Sequence, residues 1–187
     1  MNKIATIMRT NLTLTLISAA AFALSIPAGS LCYPLVKDKL PALLKIAFAG
    51  VMTGTTAEII AKVLLRNMTA SLIILVTGVT VIIPVLILSA NGFLVGLILR
   101  FALDRGLDPA NLVYGITPHG IFELPALFIC AAAGMRVGLQ AVKSKGTRVK
   151  ATTQAMKEAS AVYLTTVIPL LIIAAVVEIL VSRSLLY

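Results

Sequence analysis

The sequence predicts an all-α, polytopic transmembrane helical bundle: one domain over residues 1–187, with about five spans, some of them broken or half-length. Three observations carry this. Hydrophobic residues make up 59% of the 187-residue chain and charged residues 12%, with a mean hydropathy of +1.04. Ordinary soluble domains run at about 45–50% and about 25% respectively. Four stretches free or nearly free of charge are long enough to cross a bilayer, and the glycines and prolines inside them mark where helices would break. The net charge of +9, from 16 Lys and Arg against 7 Asp and Glu, fits cytoplasmic loops facing anionic headgroups in so apolar a chain. Nucleic acid is therefore excluded as a partner. The partners expected are the lipid bilayer and other membrane proteins, a second copy of the chain included, in a multi-pass protein of the cell membrane.

A hydrocarbon core of about 30 Å needs about 20 apolar helical residues. Between Arg9 and Lys37 lie 27 uncharged residues, which predict a span over about 10–34. The segment could pass for a signal peptide ending near Ala21–Phe22–Ala23, but a first transmembrane helix accounts for it better. Residues 38–66 carry Lys45, Glu58 and Lys62, and their longest uncharged run is 12 residues. They predict helices lying along the membrane surface.

From Asn67 to Leu99 there are 33 residues without charge, too many for one upright span and too few for two. Gly78, Pro84 and Asn91–Gly92 are the candidate breaks. The preferred division is a short helix over 68–77 within a span 68–83, then a longer span 84–104; the alternative is a hairpin turning at Asn91–Gly92. The next gap, Pro109–Met135, holds 27 residues interrupted only by His119 and Glu123, and predicts a span over 112–141. Within it Thr117–Pro118 reads as an N-cap followed by proline at the first helical position. The last gap, Ala159–Val177, is bracketed by Glu158 and Glu178 and predicts a span over 155–181. The most basic loop, with Lys143, Lys145, Arg148 and Lys150, belongs on the cytoplasmic side together with the Lys3 and Arg9 end. Five spans satisfy both, although residues 38–66 then put cations on the far side.

Glu123 is the sharpest chemical feature. It lies one residue from the middle of its gap, so a spanning helix would carry its carboxylate near the bilayer midplane. Ionisable residues there are costly and are functional candidates by default. His119, the single histidine, precedes it by one helical turn on the same face. The two could form a structural polar clamp with Asn91, Asn67 or loop backbone, or a site for a proton or cation. Metal is the third reading for His119 and Glu123, weakened because zinc wants three or four ligands; no other cofactor is expected. Enzyme is the least supported class: there is no His-Glu-x-x-His pair, no phosphate loop and no embedded aspartate pair.

Gly50/Gly54, Gly92/Gly96 and Gly134/Gly138 have the spacing of close helix contacts, within one chain or between chains. Tyr33, Tyr114 and Tyr187 fall near span ends, where interfacial tyrosines belong. Cys32 and Cys130 read as small buried hydrophobes.

The run Tyr114-Gly-Ile-Thr-Pro-His-Gly-Ile-Phe-Glu-Leu-Pro-Ala126, with Gly134 and Gly138 after it and Asn67 and Asn91-Gly-Phe-Leu-Val-Gly96 before it, resembles the stage II sporulation protein M family. The resemblance implies a membrane protein of about five spans, whose namesake is a scaffold in a cell-wall-remodelling complex with the peptidoglycan chemistry supplied by partners. Related proteins occur in prokaryotes that never sporulate. The motif positions it marks here are Pro118, His119, Gly120, Glu123 and Pro125, with no catalytic role attached. The leading expectation is a non-enzymatic scaffold or complex subunit with a buried His-Glu polar site. The alternative is an ion- or proton-coupled transporter or channel using the same pair, since interrupted helices often build midplane sites.

Overall fold

The computed structural model describes residues 3–47, 54–143 and 148–184, with side-chain environments for 11–46, 54–108, 120–143 and 149–177. Among the described residues the fold is entirely helical. Helix α1 (Lys3–Val36) is followed by the short α2 (Leu40–Ala47), then α3 (Thr56–Thr77). A three-residue tight turn (Gly78–Thr80) leads to α4 (Ile82–Asp104) and α5 (Pro109–Lys143). Helix α6 (Arg148–Val162) passes through a π-helical turn (Tyr163–Val167) directly into α7 (Ile168–Ser184). Five helices are long and apolar enough to cross a membrane: Asn11–Val36, Thr56–Thr80, Ile82–Asp104, Gly120–Lys143 and Val149–Val177.

The number of spans is as expected, but their divisions differ. Residues 56–66 belong to a spanning helix and do not form a surface one. Thr55 starts it: its hydroxyl accepts from the Glu58 amide while the Glu58 carboxylate accepts from the Thr55 amide at 2.7 Å, a closed capping box. Glu58, Lys62 and Arg66 recur every fourth residue, so the charges share one exposed stripe and can reach toward headgroups while the rest of the helix enters the apolar layer. Only α2 remains of the predicted surface helices; Gly50 lies outside the described residues.

The break between the second and third spans falls at Gly78–Val81, and α4 runs unbroken through Asn91–Gly92, which excludes the hairpin there. The turn leaves Val81 at φ +66°, a region a β-branched residue rarely adopts. Gly78 opens the turn in ordinary helical backbone, and packing is what requires glycine there: a methyl would strike the Gly134 backbone. Thr117–Pro118 does not begin a helix either, because α5 starts at Pro109 and continues through both. A proline removes one backbone bond, and helices in a bilayer can carry that loss when neighbours compensate; α1 contains Pro27 and Pro34 in the same way.

Helix α5 is the axis. From Ala126 to Gly138 only Phe128 and Ile129 are not buried, and a helix buried on all sides must be central. Its inner stretch is small, Ala131-Ala132-Ala133-Gly134, so neighbours approach closely. Gly134 and Gly138 meet the backbone of Leu75, Gly78 and Val79, while Gly92 and Gly96 on α4 meet the α1 backbone at Phe22 and Ile26, with Gly29 of α1 against Phe93. These glycine pairs therefore serve contacts within one chain. The pairings rise together in number, so α1 runs parallel to α4 and α3 parallel to α5. Phe22 packs edge-on to Phe128, with ring centres 5.7 Å apart, near the middle of the α1 span. Leu14, Ile74, Leu88, Leu127, Ala131 and Met135 close the core among α1, α3, α4 and α5.

Replacing Gly134 or Gly78 with alanine should lower stability by about 1–3 kcal/mol, the usual cost of overpacking. Gly120→Ala should be neutral, since among the described residues a methyl there meets only Leu124 Cδ1 at 3.8 Å. Thermal unfolding of the three variants in detergent checks the order.

Candidate functional site

Two groups of polar side chains lie inside the bundle. The first is at the end of α5 nearest Lys143. Arg136, only 8% exposed, forms a close ion pair with Glu158 of α6, itself 31% exposed. The Gln154 side-chain amide donates to Glu158 Oε1 at 3.0 Å, one turn away on the same helix. Asn11 of α1, Ala133 and Ala155 complete a cavity of about 10 Å³, the room one water needs. Among the described residues the buried Asn11 Oδ1 has no donor and the buried Thr152 Oγ1 no partner. Arg136 is positioned by the buried length of α5, and Glu158 by the alanine face of α6, where Ala155 and Ala159 pack on Ala133 and Val137.

The second group lies deeper, between α3, α5 and the π-turn. The Tyr163 hydroxyl donates to the Met68 carbonyl at 3.1 Å and lies 3.2 Å from the Ser71 hydroxyl. Cys130 donates to the Ser71 carbonyl at 3.1 Å. The extra residue of the π-turn sits where Tyr163 enters this cluster, a place such turns often mark functional or strained packing. Cys130 is buried as expected, and Cys32 is half-buried; both are free thiols.

The residues singled out from sequence are distributed over the bundle. Glu123 is half-buried on α5, five residues, or about 7–8 Å of helix, from Phe128 toward the Pro109 end. The side chains of Thr117, Pro118 and His119 lie outside the described residues, as do Tyr114 and Tyr187. Asn67 is buried on α3 at 9% exposure, and its Nδ2 has no acceptor among the described residues. Asn91 is exposed on α4, so it is not part of a core with Asn67. Gly120 and Pro125 are half-buried on α5. Among the described residues no three His, Cys, Asp or Glu side chains come together as a metal site would require. Tyr33 caps a separate contact, its hydroxyl donating to Asp104 at 3.0 Å across α1 and α4.

Sequence reasoning missed the Arg136–Glu158 pair. Both residues read as the charged ends of apolar gaps, and nothing in one sequence says that two such ends face each other. The available signal was position: Arg136 follows a run of alanine and glycine that only a buried helix would use.

Compared with known families, residues 12–183 match the model described as Stage II sporulation protein M. No curated protein and no solved structure matches the chain.

Because Arg136 is the more buried partner, Glu158→Leu should destabilise the bundle by about 2–4 kcal/mol and Arg136→Met by less. The double variant should lose less than the two losses added together. Unfolding in graded sodium dodecyl sulfate measures all three, and strict additivity would show that the pair is not coupled.

Proposed function

The chain belongs to the stage II sporulation protein M family, and from that premise we propose that it is a non-enzymatic membrane scaffold or complex subunit. The observation that carries this reading is the closed middle of the bundle. Residues Ala126, Leu127 and Cys130–Gly138 of α5 are buried, and Gly78, Gly134 and Gly138 bring two backbones into direct contact. A path for a solute between α3 and α5 would have to part atoms that already touch. Function on such a body resides on its surfaces and ends.

In this reading Glu123 and His119 make a polar clamp on the less tightly packed part of α5, holding a half-buried carboxylate in place. A buried carboxylate needs a partner or a proton, and a residue one turn earlier is within reach. The orientation proposed takes its sign from the most basic loop. Asn11, near the start of α1, shares a cavity with Arg136 and Glu158, so α1 begins at the same end of the bundle as Lys143 and Lys150. This reading puts that end in the cytoplasm, with Lys37, Lys39, Lys45, Arg100 and Arg105 at the other end.

The transporter reading rests on the π-helical turn Tyr163–Val167 inside the last span, an irregular turn of the kind that midplane sites use. Liposomes holding a pH-sensitive dye separate the two. The scaffold reading expects proton leak no greater than in empty liposomes, and a Glu123→Gln protein that unfolds at lower temperature or retains its native complex less well. Proton-driven flux that Glu123→Gln abolishes, with the fold intact, would overturn it in favour of transport. If that substitution alters neither stability, flux nor assembly, the carboxylate has neither role.

A further inference from the structure

We infer that α4 pairs with α4 of a second copy of this chain, and that Asn91 carries the contact. Asn91 is the tenth of the 23 residues of α4, about 3 Å from the helix centre, and its side chain faces outward. A carboxamide there meets hydrocarbon unless another protein covers it, and it brings two N–H donors and a carbonyl that need partners. Two threonines on the outer surface of the spans manage this alone. Thr69 donates to the Leu65 carbonyl and Thr165 to the Ala161 carbonyl, each at 2.8 Å and one turn back. The Asn91 side chain makes no hydrogen bond to any described residue, and a single back-bond could not satisfy it.

The choice of a second copy comes from two features. Every copy inserts in the same orientation, so the α4 helices of neighbouring copies run parallel and their Asn91 residues lie at the same depth. A carboxamide is also its own complement: each can donate to the other's carbonyl across a two-fold axis along the membrane normal. The surface around it has the matching period. Ile87, Leu94 and Ile98 stand four before, three after and seven after Asn91, each half-exposed, the spacing of a heptad seam with one asparagine setting register. Ala90, exposed beside it, leaves room for a backbone to approach. The Gly92/Gly96 face is already occupied by α1, so the seam uses a different side of the same helix. This pairing does not depend on the scaffold reading; a transporter could dimerise in the same way.

The test uses the full chain in liposomes. In a background of Cys32→Ala and Cys130→Ala, copper–phenanthroline oxidation of the Leu94→Cys protein, which keeps Asn91, should give a covalent homodimer. Ile172→Cys, exposed on α7, should give none. Energy transfer between differently labelled copies should show dimerisation weakened about three- to thirtyfold by Asn91→Ala, the usual range for one interhelical hydrogen bond, and retained by Asn91→Gln. No link at Leu94→Cys, equal linking at Ile172→Cys, or energy transfer unchanged in Asn91→Ala would each overturn the proposal. So would the Leu94→Cys chain in native membranes linking to a different protein and not to itself.

Discussion

The whole arrangement depends on backbone-to-backbone contact between α5 and the end of α3. Gly78 lies against Gly134, and Gly138 against the Val79 carbonyl. In a bilayer, lipid tails are as apolar as leucine, so helices gain little by hiding apolar surface and must gain by fitting closely. Glycine allows that fit because it removes the Cβ that would hold the axes apart. Around this contact the alanines of α5 admit α6, and the second glycine set, Gly92, Gly96 and Gly29, joins α1 to α4 independently.

Much of this was legible in sequence, and the reason is physical. Charge-free length, hydropathy and small-residue spacing are local properties, and a bilayer translates them almost directly into spans and contacts. The glycine pairs at 92/96 and 134/138 and the break near Gly78 were visible for that reason. What failed was the reading of charge as exclusion. Glu58, Lys62 and Arg66 seemed to bar a span, yet a four-residue period places them on one stripe, and a capping box starts the helix beneath them. Thr117–Pro118 failed differently. A local start signal is only a preference, and a longer helix beginning at Pro109 absorbs it.

The polar residues show a division that no single sequence reveals. Four hydroxyls, those of Thr15, Ser25, Thr69 and Thr165, satisfy themselves against their own helix and so impose nothing on tertiary structure. Groups that cannot do so fix relations between helices. Tyr163 and Cys130 tie the π-turn and α5 to α3, Tyr33 ties α1 to the end of α4, and Arg136 ties α5 to α6. Glu123 was legible as costly from its place in a long apolar gap. Which partners it takes was not, because the answer depends on how neighbouring helices are rotated.

This division bears on where activity can reside. Each interhelical tie found inside the bundle joins elements that are already close-packed, so it holds a shape and opens no passage. The groups left over differ in kind: Asn67 keeps an unpaired amide in the interior, whereas Asn91 presents one to the outside. An interior orphan is a cost paid by one fold alone. An exterior one is removed only by association, so its worth grows with the concentration of copies in the plane of the membrane. A tight core with a polar group left on its outer surface is the arrangement that the proposed scaffold role requires, and the same feature is what the proposed pairing of α4 would remove.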